Sequence, residues 1–422
     1  MSYQAPRGTQ DIYGEDVLNW RSIEKKIYKL CNLYGYEEIR TPIFEDTKVF
    51  KRENDSSDMV NKEMYTFTMG RDSFTLRPEG TAGVIRSFVQ NKFYGSLEMP
   101  AKLFYMGPMF RHERPQKGRF RQFHQFGIEN IGIKNPLADA EVIALGYNLL
   151  KQVGIKQLSV LINTLGDEES RNKYKDDLRN HFEKGIDELC PDCKRRLEQN
   201  PLRILDCKVD FDKEIVKSAP LIDDSLNKES KEYFDKVLKA LEGLNIPYVI
   251  ENRLVRGLDY YTDTVFEVVS THPESGSQST VFGGGRYDNL VSYFKGPELS
   301  GVGFAVGLER LLLFAQLEGI KLHKENELDV YVISLGDVKD KPLKIGQMCR
   351  DAGYSCEVNM VERSIKSQFK SVDRRNSKVV IIIGEDEVNN NVVNIKDIKT
   401  QNQVTVNDVD IIKQLEEFIG RR

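Results

Sequence analysis

Apolar residues recur at spacings of three and four between residues 13 and 35: Trp20, Ile23, Ile27, Leu30, Cys31 and Tyr34, with charges between them. That period predicts one amphipathic helix. Gly35 should end it, and Tyr36–Phe44 then reads as a strand broken by Pro42. Proline cannot donate to a ladder, so that strand belongs at an edge or an interface. Further on, Leu103–Phe110 is apolar and strand-like, Arg111–Arg121 strongly basic, and Phe123–Ile131 strand-like again. This predicts a long antiparallel hairpin with a charged tip.

From about 167 to 249 the chain turns polar and helical, as in Asp167-Glu168-Glu169-Ser170-Arg171, Lys173–Leu178 and Lys228–Leu244. Strands resume at Tyr248–Ile250, Thr264–Val269 and Thr280–Phe282, and residues 301–318 pass from a glycine-spaced strand into an apolar helix. After residues 319–326 the pattern becomes strand–helix alternation. Strands are expected at Leu328–Leu335, Tyr354–Val361 and 378–384, helices at 339–352, 363–376 and 407–420, and a turn at Asn389-Asn390-Asn391. The expected organisation is an α+β domain, an antiparallel sheet flanked by helices, in two parts (1–166 and 250–325). A helical insertion (167–249) separates them, and a C-terminal α/β domain follows (326–422).

A chain of 422 residues exceeds one ordinary core, in keeping with several domains. With 40% hydrophobic and 30% charged residues it is not a candidate for long disorder. The net charge of −4 neither suggests nor excludes a nucleic-acid partner, so any basic footprint must be local. The start lacks a basic-then-apolar pattern, and the longest apolar runs, Leu311–Ala315 and Val379–Ile383, are too short to span a bilayer. Six cysteines do not make a disulfide framework at this size, so no membrane and a cytoplasmic location are expected.

The densest chemistry lies in Phe110-Arg111-His112-Glu113-Arg114-Pro115-Gln116-Lys117-Gly118-Arg119-Phe120-Arg121-Gln122-Phe123-His124-Gln125. Five cations face one carboxylate over residues 111–121, a composition suited to a polyanion, and the arginine fork matches phosphate oxygens. Charge alone favours a solvated tip; the bracketing strands and interleaved aromatics shift the reading toward a base stacked beside gripped phosphates. The ordered string Phe-Arg-His-Glu, a loop and a strand resembles the second signature motif of class II aminoacyl-tRNA synthetases. Arg77-Pro78-Glu79-Gly80-Thr81, Leu254-Val255-Arg256-Gly257-Leu258-Asp259-Tyr260-Tyr261-Thr262 and Gly283-Gly284-Gly285-Arg286-Tyr287-Asp288 are similar to strings of the histidyl-tRNA synthetases. Gly301-Val302-Gly303-Phe304-Ala305-Val306-Gly307-Leu308-Glu309-Arg310 resembles the third class II motif, and the Pro42 strand with its helix fits the first. Five such strings in order are hard to obtain by accident.

That resemblance implies a histidine–tRNA ligase that activates L-histidine with ATP and Mg2+ to the adenylate and transfers it to tRNA(His). It also implies a homodimer, and an anticodon-binding tail. It implies that Arg111 and Arg256 are catalytic, bracketing the α-phosphate. Arg119 and Arg310 would hold the outer phosphates, and Glu113 and Phe123 the adenine. Glu79, Thr81 and Gln125 would take the α-ammonium, and Glu129, Tyr260 and Tyr261 the rest of histidine. The rival is a silent histidine-binding regulatory relative, but those relatives lack the tail and have decayed signatures. Here Arg111, Glu113, Arg256, Arg310 and the tail are all present.

Several features carry plainer alternatives. Gly283–Gly285 alone reads as a hairpin turn, and Tyr260-Tyr261 as core aromatics. Gly301-x-Gly303-x-x-x-Gly307 is spaced one residue too long for a dinucleotide loop. Cys190-Pro191-Asp192-Cys193, with Cys207 and His181 nearby, has half of a zinc pattern. No second closely spaced cysteine pair follows, so these read as structural thiols and no protein-only metal site is expected. Arg363, Lys366, Lys370 and Arg374 share one helical face, with Ile365, Phe369 and Val372 on another. The basic face reads equally as solvated surface or as a contact for anticodon-stem phosphates.

Overall fold

The computed structural model describes residues 3–51, 57, 59–276, 279–323 and 327–420. The chain divides into two compact units, Met1–Leu322 and His323–Arg422. The boundary expected at 325/326 lies outside the described residues.

In the first unit the period over 13–35 becomes the helix Glu15–Leu33, with Trp20, Ile23, Ile27, Leu30 and Cys31 buried. Gly35 follows at φ 73°, a left-handed conformation open to glycine without strain, and turns the chain out of the helix. The strand expected over Tyr36–Phe44 is much shorter, its ladder ending at Glu38 before Pro42 is reached. β1 (Glu37–Glu38) occupies a sheet edge, and Phe44 instead starts a separate three-stranded sheet. That sheet comprises β2 (Phe44–Asp46), β3 (Tyr65–Met69) and β4 (Asp72–Leu76), in the order β2-β4-β3.

The predicted hairpin is β5 (Ala101–Phe110) and β6 (Gln122–Ile131), paired from Ala101↔Ile131 to Phe110↔Gln122. The remaining strands are β7 (Leu158–Thr164), β8 (Tyr248–Ile250), β9 (Thr262–Ser270), β10 (Thr280–Tyr287) and β11 (Gly301–Gly307). The eight-stranded sheet runs β1-β5-β6-β11-β10-β9-β7-β8. It is antiparallel except at its two ends, where β1–β5 and β7–β8 are parallel. Its strands alternate, apart from two register shifts between β9 and β10. Phe126 and Ile128, Val302, Phe304 and Val306, and Phe266 point into a core closed by the helices Glu15–Leu33 and Pro136–Val153. Tilted and edge-on rings fasten this face, Phe282–Phe304 at 4.8 Å and Phe126–Phe304 at 5.8 Å. The opposite face packs Leu103, Tyr105, Met109 and Ile131 under the helix Thr81–Gln90 and leaves the stretch beside them to small and polar residues.

Within 167–249 two kinds of packing occur. The helices Glu168–Phe182 and Pro191–Gln199 surround their own cluster, containing Leu178, Phe182, Cys193, Leu197 and Cys207. The helix Lys228–Gly243 instead lays Val237, Leu238 and Leu241 into the main core. Leu254, Val255 and Tyr261 share the smaller cluster, which therefore backs the segment carrying Arg256.

The second unit carries β12 (Leu328–Ser334), β13 (Cys356–Val358), β14 (Ser377–Ile383), β15 (Val392–Asp397) and β16 (Gln403–Asn407), in the order β13-β12-β14-β15-β16. The first three are parallel and joined through the helices Lys341–Asp351 and Ile365–Arg374. β15 and β16 form an antiparallel hairpin that the sequence reading did not anticipate. The helix Ile365–Arg374 also departs from expectation. Its buried residues are Gln368 and Val372, whereas Ile365 is exposed. Gln368 Nε2 donates to the Ser334 and Arg363 carbonyls at 2.8 and 2.9 Å, so a polar side chain holds the inward position. No helix among the described residues is long and apolar enough to cross a membrane.

Candidate active site

The polar face of the large sheet opens into a cavity of about 350 Å3. Its floor follows from strand alternation. Phe123, Gln125 and Glu129 fall on the same side of β6. They face Gly307, Ala305 and Gly303 of β11 through the pairs Gln125↔Gly307 and Glu129↔Gly303. Gly283 of β10 pairs with Ala305 beside them. A Cβ on Gly283 would lie 2.5 Å from Arg256 Nη1, and one on Gly303 would lie 2.2 Å from Glu129 Oε2. These glycines are therefore mid-strand residues kept bare for close approach of charged side chains. The hairpin-turn reading of Gly283–Gly285 is corrected accordingly.

One part of the cavity is carboxylate-rich. Glu79 accepts the Thr81 and Ala82 backbone N–H groups at 2.6 and 2.9 Å, at the start of the helix Thr81–Gln90, where the dipole favours negative charge. Glu129 is buried; its two oxygens accept the Thr81 hydroxyl at 2.6 Å and the Tyr287 hydroxyl at 2.5 Å. Burial, with the Glu79 charge nearby, pushes its carboxyl up to about 8, although both hydroxyls pull the other way. Gln125 Oε1 is buried without a hydrogen-bond partner among the described residues. Tyr260 and Tyr261 lie tilted against each other with ring centroids 4.7 Å apart, and Tyr260 is edge-on to Tyr287 at 5.9 Å.

Arginines supply the opposite charge. Arg111 donates through Nε to the Pro78 carbonyl at 2.8 Å, and its guanidinium lies 5.3 Å from the Phe123 ring centroid. Arg119 pairs with Glu113 at 2.9 Å. Arg256 is held by Glu267, which also accepts the Thr280 hydroxyl at 2.9 Å. Desolvation works against the Arg256 charge, yet Glu267, Tyr261 and Tyr260 more than offset it and raise its pKa. Its Nε is buried without a partner among the described residues. Arg310 has the reverse balance, since burial and the neighbouring Arg119 bring it down to about 10. A multiply charged anion would relieve that repulsion.

All of the expected residues line this one cavity: Glu79, Thr81, Arg111, Glu113, Arg119, Phe123, Gln125, Glu129, Arg256, Tyr260, Tyr261 and Arg310. Among the other lining residues, Glu267, Tyr287 and Glu309 carry ionisable or hydroxyl groups that the sequence reading did not assign. Glu309 accepts His124 N at 2.9 and 3.0 Å and faces its Nδ1 at 3.1 Å. Tyr287 and Glu309 sat inside recognised strings, and nothing marks Glu267 in sequence, because its partner Arg256 reaches it from the segment between β8 and β9 only in the fold. Conversely, two arginines of the strings have structural posts. Arg286 is fully buried against Asp139, and Arg77 donates to the Pro108 and Thr41 carbonyls at 2.8 and 2.9 Å. His181 does not join Cys190, Cys193 and Cys207, since its Nε2 donates to the Ile215 carbonyl at 2.8 Å.

A family model described as histidyl-tRNA synthetase matches residues 8–311, and one described as anticodon binding domain matches residues 329–418. A histidine–tRNA ligase of Bacillus licheniformis is 49% identical over 419 residues, spanning 98% of this chain and 99% of its own. One of Geobacillus sp. is 50% identical over 424 residues, spanning both chains in full. The crystal structure of apo Staphylococcus aureus histidyl-tRNA synthetase has a TM-score of 0.84 at 42% identity, covering 98% of this chain and 100% of that one. An ATP phosphoribosyltransferase regulatory subunit/histidyl-tRNA synthetase of Bacillus halodurans, at TM-score 0.64 and 21% identity, shares the fold alone. With identity near one half carried from end to end, the chain belongs to the histidyl-tRNA synthetase family.

Proposed function

We propose that this cavity activates L-histidine with ATP, releasing pyrophosphate, and that the resulting histidyl-adenylate passes histidine to the 3′ end of tRNA(His). The observation that carries the reading is the convergence of Arg111, Arg119, Arg256 and Arg310 with Glu79 and Glu129 in a single cavity. Activation brings the histidine carboxylate onto the α-phosphorus of ATP. The two anions repel, so positive charge must be fixed in advance. Arg111 and Arg256 are assigned to the α-phosphate and its transition state, and both are already aimed by Pro78 and Glu267. Arg119 and Arg310 are assigned to the outer phosphates, whose charge offsets their mutual repulsion. Glu113 and Phe123 take the adenine.

Glu79, Thr81 and Gln125 are assigned to the α-ammonium, a role supported by the partnerless acceptor Gln125 Oε1. Glu129, Tyr260 and Tyr261 are assigned to the side of the imidazole. An amino acid without ring nitrogens would leave such polar groups unpaired, which suits discrimination of about 10⁴ or more. Catalysis is then positioning and electrostatics, with the substrate carboxylate as nucleophile. Glu113 and Glu267 are engaged by Arg119 and Arg256, so Mg2+ is assigned to the phosphates of incoming ATP.

The unit from His323 onward is assigned to the anticodon arm. A homodimer is proposed, supported by exposed apolar residues Ile43, Phe44, Phe67 and Met69 on and beside the three-stranded sheet; a monomer in sedimentation at micromolar concentration opposes it. The cytoplasm is the proposed compartment, in keeping with six free cysteines. The test is ATP–pyrophosphate exchange with each of the twenty amino acids offered singly. Exchange with histidine alone is expected. Protein that binds histidine without exchange is a regulatory subunit instead.

A further inference from the structure

Cys190, Cys193 and Cys207 are brought together with Asp210, all four donor atoms lying within 4.8 Å of one another. The spacing is C-x2-C, thirteen residues, then C-x2-D. It is a two-pair metal pattern whose last position is a carboxylate, and a search for cysteine pairs passes over it. Cys193 and Asp210 are fully buried, Cys207 nearly so, and Cys190 half-buried.

The geometry fits one tetrahedral ion. Zinc–sulfur bonds of about 2.3 Å at tetrahedral angles set neighbouring sulfurs about 3.8 Å apart. Cys190 Sγ and Cys207 Sγ are 3.8 Å apart. A disulfide requires about 2.05 Å and would use only two of three convergent thiols. The span of 4.8 Å leaves room for a single ion rather than a cluster. Asp210 is oriented as outer groups orient a ligand: Oδ2 accepts Cys190 N at 2.8 Å and Oδ1 pairs with Lys213 at 2.8 Å.

We propose that Cys190, Cys193, Cys207 and Asp210 bind one structural Zn2+. The ion closes a loop that reaches the active site. Between the two half-sites, Arg203 donates to the Arg256 carbonyl at 3.0 Å and Asn200 to Asp259 Oδ1 at 2.9 Å. Zinc thereby clips the small cluster of this insertion and steadies the segment bearing Arg256 from behind. A core so small gains most from a metal staple.

The test is metal analysis of the full-length chain purified without chelator, followed by Co2+ replacement and absorption spectroscopy. One zinc per chain and a tetrahedral cobalt–thiolate spectrum are expected, with both lost in C193S and C207S but kept in C356S, whose thiol lies in the other unit. Removing zinc should lower the thermal midpoint. Metal-free wild-type protein that also gives no cobalt–thiolate spectrum overturns the proposal whatever the variants do. So does full zinc retention in folded C193S.

Discussion

Gly303 and Glu129 share one space: a Cβ on the glycine would sit 2.2 Å from Glu129 Oε2 and 2.3 Å from the Ile128 carbonyl. Gly303→Ala must therefore displace the carboxylate from Thr81 and Tyr287. Overpacking of this kind costs about 1–3 kcal/mol, and the loss should fall on histidine rather than ATP. The histidine KM in pyrophosphate exchange is expected to rise on the order of tenfold or more, with the ATP KM little changed. Equal rises in both would detach Glu129 from the amino-acid pocket.

Arg256 is aimed by Glu267 and by the tyrosines beside it. A fixed charge that acts on the transition state is worth about 3–4 kcal/mol, so Arg256→Ala should lower the exchange rate by roughly 10²–10³. Because Glu267 then faces the α-phosphate uncompensated, Arg256→Ala/Glu267→Gln should recover part of the loss. A near-normal rate in the single variant removes Arg256 from the catalytic role.

Which parts of this architecture could be read beforehand follows from the range of the interactions. The helix over 15–33 and the hairpin β5–β6 rest on local periods and were legible. β15 and β16 were not, since Val392–Asp397 and Gln403–Asn407 are short and become strands by pairing with β14 and each other. Gln368 shows the limit of apolar patterning, because a glutamine holds the inward position by hydrogen-bonding the end of β12. In the cavity, the residues assigned from the ordered strings come together along one lining. Glu267 was missed because Arg256, which it holds, lies in the segment ahead of β9 and meets it only in the fold, and Asp210 because it stands where a second cysteine pair would carry a thiol.

Stability should depend on pH through Glu129. Its folded carboxyl is raised by burial to about 8, against an ordinary value of 4.5. Below 4.5 both states hold the proton; between 4.5 and 8 only the folded state keeps it. Stability is thus fully present at low pH and is lost as pH rises through about 8, by on the order of a few kcal/mol. Thermal midpoints measured from pH 5.5 to 8.5 should decline more steeply in the wild-type chain than in Glu129→Gln. Parallel profiles for the two proteins would mean that Glu129 ionises normally.

In the C-terminal unit Lys366, Lys370 and Arg374 are all exposed on the helix Ile365–Arg374, whose inward side is taken by Gln368 and Val372. The neighbouring Arg375 is tied to Glu357 at 2.7 Å, which makes the other three the better phosphate candidates. Contacts to phosphates release counterions and so carry a salt dependence of nearly one power per contact. Replacing all three by glutamate should weaken tRNA binding at least about tenfold and flatten its dependence on salt by roughly two to three powers. Pyrophosphate exchange, which needs no tRNA, should be unaffected. If exchange falls as far as aminoacylation does, the substitutions have damaged the fold; if neither changes, the face is only solvated surface.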